Sequence, residues 1–381
     1  EKDNNKCILC GDCVRMCSEV QGVGAIDFGH RGSKMKISTA FDIPLAESGC
    51  VGCGQCAAVC PTGAIVVKSY REQLWEELSN SDIKVTAQIA PAVRVAIGHE
   101  FGLREQDENV FGKIVAALHR IGFDEVYDTA TAADLTVLEE ANELLSRVEA
   151  GVNMPLFTSC CPAWVNYCEK YYPELLPHIS TCRSPMQMFA SLIHEQNAAV
   201  SSRKSVHVAI MPCTAKKFEA ERDEFKTDGD PNVNYVITTQ ELIRMIRESG
   251  IEFSELEAEA VDSPFGEATG AGVIFGVTGG VTEAVLRRIS NDKSIIGLRS
   301  IAMQGVRGME GLKETSVLIG EKELNIAIVS GLKNAADLIR KIKSGERKYD
   351  FIEVMACPGG CVSGAGQPYA SDAQKSKRES I

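Results

Sequence analysis

The 381-residue chain is poor in tryptophan (2) and histidine (6), and none of its histidines is spaced against a cysteine as in a zinc finger. No apolar run reaches the roughly 18 residues of a membrane-spanning helix, so no span is expected. The start, Glu1-Lys2-Asp3-Asn4-Asn5, has no apolar core of a secretory signal, and a cytoplasmic location is expected. The glycine-rich stretch Gly270-Ala271-Gly272-Val273-Ile274-Phe275-Gly276 lacks the G-x-G-x-x-G spacing, and no P-loop occurs, so nucleotide binding is not supported. With 52 acidic against 40 basic residues, the net charge of −12 argues against nucleic acid as a partner. The remaining composition, 44% hydrophobic and 24% charged, is that of a folded globular chain long enough for two or three domains.

Cysteine is abundant, at 15, and clustered. Small secreted disulfide scaffolds are short and evenly paired; tight thiol runs in a longer chain read instead as metal ligation, and soft thiolates with few histidines point to iron–sulfur clusters. The first run is Cys7-x2-Cys10-x2-Cys13-x3-Cys17, the second Cys50-x2-Cys53-x2-Cys56-x3-Cys60-Pro61. Both have bacterial ferredoxin spacing, in which three cysteines of a loop hold one cubane and the fourth ligates the other. Cluster one is therefore assigned to Cys7, Cys10, Cys13 and Cys60, and cluster two to Cys50, Cys53, Cys56 and Cys17. The runs form an internal repeat, each expected to lead into a strand (Ala25–Phe28 and Ala64–Val67). Such a module moves single electrons; bond chemistry must come from the rest of the chain.

Beyond a polar helical connector, Tyr70–Ser81, strand and helix patterns alternate. Strands are expected at Lys84–Ile89, Leu156–Thr158, Val206–Ile210, Tyr235–Ile237, Ile326–Val329 and Phe351–Met355. Helices are expected at Val110–Ile121, Ala132–Glu149, Pro185–Ala199, Thr239–Glu248 and Leu332–Lys343. This predicts an α/β catalytic domain of mixed or parallel sheets flanked by helices, residues 76–381, behind an α+β ferredoxin-like domain, residues 1–75. Three strands run into cysteine motifs: Cys160-Cys161-Pro162, Met211-Pro212-Cys213 and Cys357-Pro358-Gly359-Gly360-Cys361. One site fed by several strand ends has this form; three unrelated buried thiols would need a coincidence at every strand end.

Cys161, Cys213, Cys357 and Cys361 suffice for a third cubane. Cys160 is then left over, because adjacent residues of an extended chain point apart. A free thiol, with a reference pKa of about 8.5, suits a proton carrier. Glu140, Glu143 and Arg147 fall on one helix face at i, i+3 and i+7; by sequence alone a surface ion-pair ladder is the favoured reading of them.

The segments Thr158–Trp164, Met211–Glu219 and Glu353–Pro368 closely resemble the three signature motifs of the iron-only (FeFe) hydrogenases, and the resemblance spans nearly the whole chain. It implies an H-cluster, a 4Fe–4S cubane joined through one cysteine to a di-iron unit bearing CO, cyanide and a bridging azadithiolate. By position, Cys161, Cys213, Cys357 and Cys361 would hold the cubane, Cys361 as the bridge. Cys160 would exchange protons with the azadithiolate amine, and Lys216 would hydrogen-bond a cyanide. Met211, Met355 and Phe275 would wall the pocket, together with Pro91, Ala92, Ser184, Pro185, Met186 and Gln367. Glu140, Ser180, Glu143 and Arg147 match the family's proton path, which reverses the ion-pair-ladder reading. Ala92 and Met186 stand where many relatives have Ser and Gln, and Ala163 and Ala365 replace common glycines, making the pocket less polar. Cys168 and Cys182 are extra thiols, read as buried structural cysteines, with tuning of the Cys160 loop as the alternative.

The expected activity is 2 H+ + 2 e− = H2, with electrons from a ferredoxin or similar low-potential carrier relayed through two 4Fe–4S clusters. Dedicated maturation proteins would insert the di-iron unit. The rival readings are a non-catalytic, hydrogenase-like iron–sulfur assembly protein, an H2 sensor and a bare electron relay. Retention of Cys160, Lys216, Glu219 and Met355 favours the enzyme.

Overall fold

The computed structural model describes residues 2–103, 109–200, 203–265, 268–290, 311–319 and 322–370. The first run of cysteines leads into α1 (Asp12–Arg15) and the second into α2 (Gln55–Ala58). Between them lies a two-stranded antiparallel ribbon, β1 (Asp27–Gly29) with β2 (Lys36–Ser38). The expected repeat is incomplete. Ala25–Phe28 yields a strand only from Asp27, and Ala64–Val67 yields none, only a single antiparallel bridge from Ile65 to Lys2. Without a longer partner segment, those backbone groups have no ladder to join.

The connector helix α3 (Arg71–Leu78) buries Leu74 in the core of the second lobe, where Trp75 also packs. The expected boundary after residue 75 falls inside this helix.

The second lobe contains two four-stranded sheets. The first is wholly parallel, in the order β4 (Glu125–Asp128), β3 (Ile83–Ile89), β6 (Lys204–Met211), β9 (Tyr235–Thr238). The second has the order β10 (Leu312–Ile319), β11 (Lys322–Ser330), β12 (Phe351–Met355), β5 (Leu156–Phe157), with only β10 antiparallel. A two-residue hairpin, β7 (Lys226–Thr227) with β8 (Asp230–Pro231), lies outside both.

Helices cover the sheets. α4 (Pro91–Glu100), α5 (Val110–Ile121) and α10 (Thr239–Glu248) bury their apolar faces on the first sheet. α6 (Thr129–Ala150) and α12 (Gly280–Ile289) cover one face of the second, and α7 (Pro162–Tyr171) and α13 (Leu332–Lys343) the other. α8 (Pro185–Val200) packs along α6; α9 (Ala215–Ala220) and α11 (Gly270–Val273) are short. Local chemistry sets the ends. Thr238 and Glu241 form a reciprocal capping box on α10, Asp128 caps α6, and Gly122 and Gly151 end α5 and α6 in the left-handed conformation. Among the described residues no helix is long and apolar enough to cross a membrane.

Candidate metal centres and active site

The thiols of the first lobe bring members of the two runs together. Cys7, Cys10, Cys13 and Cys60 line one small cavity. Cys17 lies among the second run. Burial raises Cys50, Cys53 and Cys56, and the nearby Cys17 thiolate adds to each shift. Cys10 is exposed, whereas burial pushes Cys56 up to about 12. Gly11 and Gly54, each the N-cap of a helical turn at φ +78 and +70, let the loops turn there.

The second lobe brings the ends of β3, β5, β6 and β12 to one cavity of about 70 Å3. Pro91 and Ala92 follow β3, Cys160 follows β5, Cys213 and Lys216 follow β6 with Met211 at its end, and Met355 and Cys361 come from β12 and its loop. Pro185, Met186 and Phe275 complete the wall. Two expected wall residues sit elsewhere. Ser184 lines the adjoining cavity beside Ser180 and Cys182. Gln367 stands behind Ala92, donating Nε2 to its carbonyl at 2.6 Å, so it braces the wall.

Cys161, Cys213, Cys357 and Cys361 are unpaired thiols whose mutual repulsion reinforces the effect of burial. Burial pushes Cys213 up to about 11 and Cys357 well above its ordinary value. The backbone N–H of Ala356 donates to Cys161 Sγ at 3.4 Å. Cys160 is also raised well above the usual thiol range, first by burial and then by Glu140. The near-neutral thiol expected from sequence is thus corrected: a low-dielectric wall holds this sulfur protonated.

Lys216 Nζ donates to Glu219 Oε2 at 2.7 Å and to the Cys160 carbonyl at 3.3 Å, with both charged side chains buried. On α6, Glu140 is 1% exposed, with the Ser180 side chain and the Ser159 backbone as its polar neighbours. Burial first, then the neighbouring Glu143 charge, lifts its carboxyl to about 8. Glu143 is held low by hydrogen bonds from Ser180 and the Thr181 N–H and by the Arg147 guanidinium, which together outweigh its partial burial. A buried carboxyl of this kind is no member of a surface ladder.

Cys168 is fully buried against Trp164 and Tyr167. Cys182, half-buried and raised by burial to about 12, places its thiol 3.6 Å from Glu143 Oε2, and its carbonyl accepts from Ser159 Oγ at 2.6 Å.

Several supporting residues escape sequence reasoning. Thr214 Oγ1 donates to the Gly52 carbonyl at 3.1 Å and Gln55 Nε2 to the Ser363 carbonyl at 3.2 Å, joining the cluster-two loop to the cavity loops. Gln88 Nε2 donates to the Met186 carbonyl at 3.0 Å and reaches His207 Nε2 at 2.9 Å. Thr129 donates to Gln88 Oε1 at 3.0 Å. The signal available was a glutamine inside the apolar strand Val85–Ile89. Glu353, fully buried, accepts from the N–H groups of Gly279 and Thr282, at 2.6 and 2.8 Å, and fixes the start of α12.

Comparison with known proteins places this geometry. The family model "Iron only hydrogenase large subunit, C-terminal domain" matches residues 83–365, and a 4Fe-4S dicluster domain matches residues 6–64. The chain belongs to the iron-only hydrogenase family. It is 44% identical over 377 residues to the NADP-reducing hydrogenase subunit HndD of Solidesulfovibrio fructosivorans, covering 97% of this chain but only 64% of that one. It is 41% identical to the periplasmic Fe hydrogenase large subunit of Nitratidesulfovibrio vulgaris, covering 86% of each. A solved FeFe-hydrogenase HydA1 variant from Chlamydomonas reinhardtii superposes with a TM-score of 0.69 at 36% identity, covering 82% of this chain and 88% of that one. It is also similar to cytosolic iron-sulfur assembly component 3 of Rattus norvegicus, 31% identical over 345 residues, covering 85% of this chain and 72% of that one.

Iron–sulfur cofactors follow from these domains, and the donor set fits them. Four unpaired thiols, Cys357 buried and the other three half-buried, with Cys213 and Cys361 lining a cavity that also holds the buried Lys216 ammonium, suit a cationic metal core carrying anionic ligands, because thiols raised by burial ionise readily only against bound metal. Among the described residues no three Cys, His, Asp or Glu side chains form a group suited to a single ion. A cubane takes one thiolate at each of four iron corners, so its ligands stand apart around it.

Proposed function

We propose that the protein is an FeFe hydrogenase interconverting protons and electrons with H2. One observation carries the reading. Cys160 lines the same cavity as Cys213 and Cys361, and Glu140 on α6 is near enough to raise its thiol, so a thiol and a buried carboxyl suited to proton transfer stand together at the site.

Cys161, Cys213, Cys357 and Cys361 would hold the cubane, with Cys361 next to the di-iron unit. When bound, that unit supplies an open iron position for proton and hydride chemistry. Cys160 holds the last proton on Sγ. Glu140, whose carboxyl is lifted to about 8, accepts and releases a proton near neutral pH with little driving force lost. Glu143, ionised and gripped by Ser180 and Arg147, collects protons at the outer end. The Lys216 ammonium offsets the cost of burying an anionic ligand, and the Met211, Met355 and Phe275 walls keep water from it.

Electrons would enter at the exposed Cys10 side of cluster one and leave through cluster two. Its Cys53 lies close enough to Cys357 for thiolate repulsion to act between them. The donor would be a ferredoxin or similar low-potential carrier, the compartment the cytoplasm, and maturation proteins would supply the di-iron unit.

The similarity to the assembly component supports a second reading, a non-catalytic iron–sulfur protein of the same fold. The two separate on one experiment: the chain is produced with and without maturation proteins, then examined by infrared absorption and assayed for H2 evolution. The enzyme reading expects CO and cyanide stretching bands and turnover in the matured protein, with Cys160→Ala keeping the bands and losing nearly all turnover. Bands with no H2 activity, or parental turnover in Cys160→Ala, would overturn it.

A further inference from the structure

The helix that leaves the catalytic thiols ends on the loop of the inner ferredoxin-type cluster. α7 has Cys161 as its N-cap, and its last turn carries Lys170 and Tyr171. Lys170 Nζ donates to two carbonyls of the cluster-two loop, Ser48 at 3.0 Å and Cys50 at 2.6 Å. Tyr171 donates to the carbonyl between them, Gly49, at 3.0 Å. Three consecutive carbonyls of a cysteine-bearing loop are thus gripped by two consecutive side chains of another lobe.

The charge in this grip is uncompensated. The adjacent Glu169 is committed to Arg222, bonded through both oxygens at 2.6 and 3.0 Å, and among the described residues no carboxylate pairs with Lys170. The cations near the outer cluster differ. Arg15, which reaches the Cys10 carbonyl, is paired with Asp12, and Lys6 is paired with Asp3. Lys2 caps the Ile37 carbonyl at the edge of the outer cavity and is a comparable charge there.

We propose that Lys170 sets the reduction potential of the inner ferredoxin-type cluster, holding it higher than its own loop would. This rests on the assignment of Cys17, Cys50, Cys53 and Cys56 to one cluster. Reduction adds one negative charge to the cluster, and a fixed ammonium at the carbonyl of a ligand residue stabilises the reduced form more than the oxidised one. Bound carbonyls also hold the ammonium in one place, so its field is not averaged away by side-chain motion. Lys170 is exposed, so water screens it and the effect is modest. The charge belongs to the catalytic lobe, so docking of the two lobes raises the potential of the inner cluster by this modest amount.

The test is an EPR-monitored redox titration of the full chain carrying its clusters, in the parent, Lys170→Met and Lys170→Arg. A dissolved paramagnetic relaxing agent identifies the outer cluster, whose Cys10 is exposed. Lys170→Met is expected to shift electron sharing between the two clusters toward the outer one by about two- to tenfold, at most ~59 mV for a one-electron couple. Lys170→Arg is expected to keep the parental value, and the shift should shrink as salt is raised. An unmoved inner cluster in Lys170→Met, movement confined to the outer cluster, or Lys170→Arg shifting as far as Lys170→Met would each overturn the proposal. The titration needs no hydrogen activity. A protein with two reducible clusters and no turnover would therefore sink the enzyme reading and leave this test standing.

Discussion

The Ser180 hydroxyl donates to Glu143 Oε2 at 2.8 Å, while Arg147 Nη2 holds Oε1 of the same carboxylate at 2.6 Å. Glu143 is therefore held in its ionised form one helical turn from Glu140, whose buried carboxyl is lifted to about 8. Two carboxyl groups one helical turn apart thus have opposite protonation at pH 7, set by their surroundings alone.

Glu143→Gln keeps the shape of this end but removes the proton-accepting charge. H2 evolution driven by a reduced low-potential dye should fall by roughly 10²-fold, the usual size of a general acid–base contribution. Ser180→Ala, which removes a donor but leaves the carboxylate, should lose less. An unchanged rate in Glu143→Gln would move the proton entry elsewhere.

Glu140 makes a pH-dependent contribution to stability whose sign is opposite to that of a salt-bridged acid. Its folded carboxyl titrates at about 8 and its unfolded one near 4.5. Below 4.5 both states are protonated and folding carries no penalty. As pH rises toward 8 the unfolded chain ionises while the folded one stays neutral, so stability is lost until the folded group also ionises. Glu140→Gln, neutral throughout, should match the parent in unfolding free energy near pH 4.5. It should exceed the parent increasingly up to pH 8, by at most about 5 kcal/mol. Denaturant titrations of metal-free protein across this range check the slope.

Much of this was legible in the sequence, and the reason is local. Thiol spacing is a short-range property, so the 4Fe–4S dicluster domain could be read directly from both ferredoxin runs. The helices Val110–Ile121, Thr239–Glu248 and Leu332–Lys343 begin and end as their apolar periodicity and caps dictate. What could not be read was long-range. The burial that makes Glu140 neutral and keeps Cys160 protonated arises from packing between α6 and strand ends far away in sequence. The Thr214–Gly52 contact crosses 162 positions. The Ala64–Val67 strand failed because β pairing needs a partner, and the sequence pattern shows only one side of that requirement.

Lys216 and Glu219 form a buried ion pair inside the wall of the catalytic cavity. Removing one partner leaves a buried charge, so Lys216→Met should destabilise the metal-free protein by about 3–5 kcal/mol. Adding Glu219→Gln should recover a large part of that loss, because the stranded carboxylate is gone. A double variant no more stable than Lys216→Met would mean that the lysine stem, and not its charge, supports the wall.

Gly54 marks the contact through which electrons would pass. Its φ of +70 already disfavours a side chain, and a Cβ there would lie 2.2 Å from Thr214 Oγ1 and 3.0 Å from the Ala365 methyl. Gly54→Ala must therefore push the cluster-two loop away from the Thr214 hydroxyl and break the 3.1 Å hydrogen bond to Gly52. Two assays separate wiring from chemistry. H2 evolution from a reduced donor needs electrons delivered through the ferredoxin-type clusters. Exchange between H2 and D2O needs only the catalytic cavity and its proton path. Gly54→Ala should depress the first well below the parent and leave the second near the parental rate. Equal losses in both would show that the displaced loop also distorts the Cys213 and Cys361 segments it packs against, and that the contact supports the catalytic wall as much as the electron route.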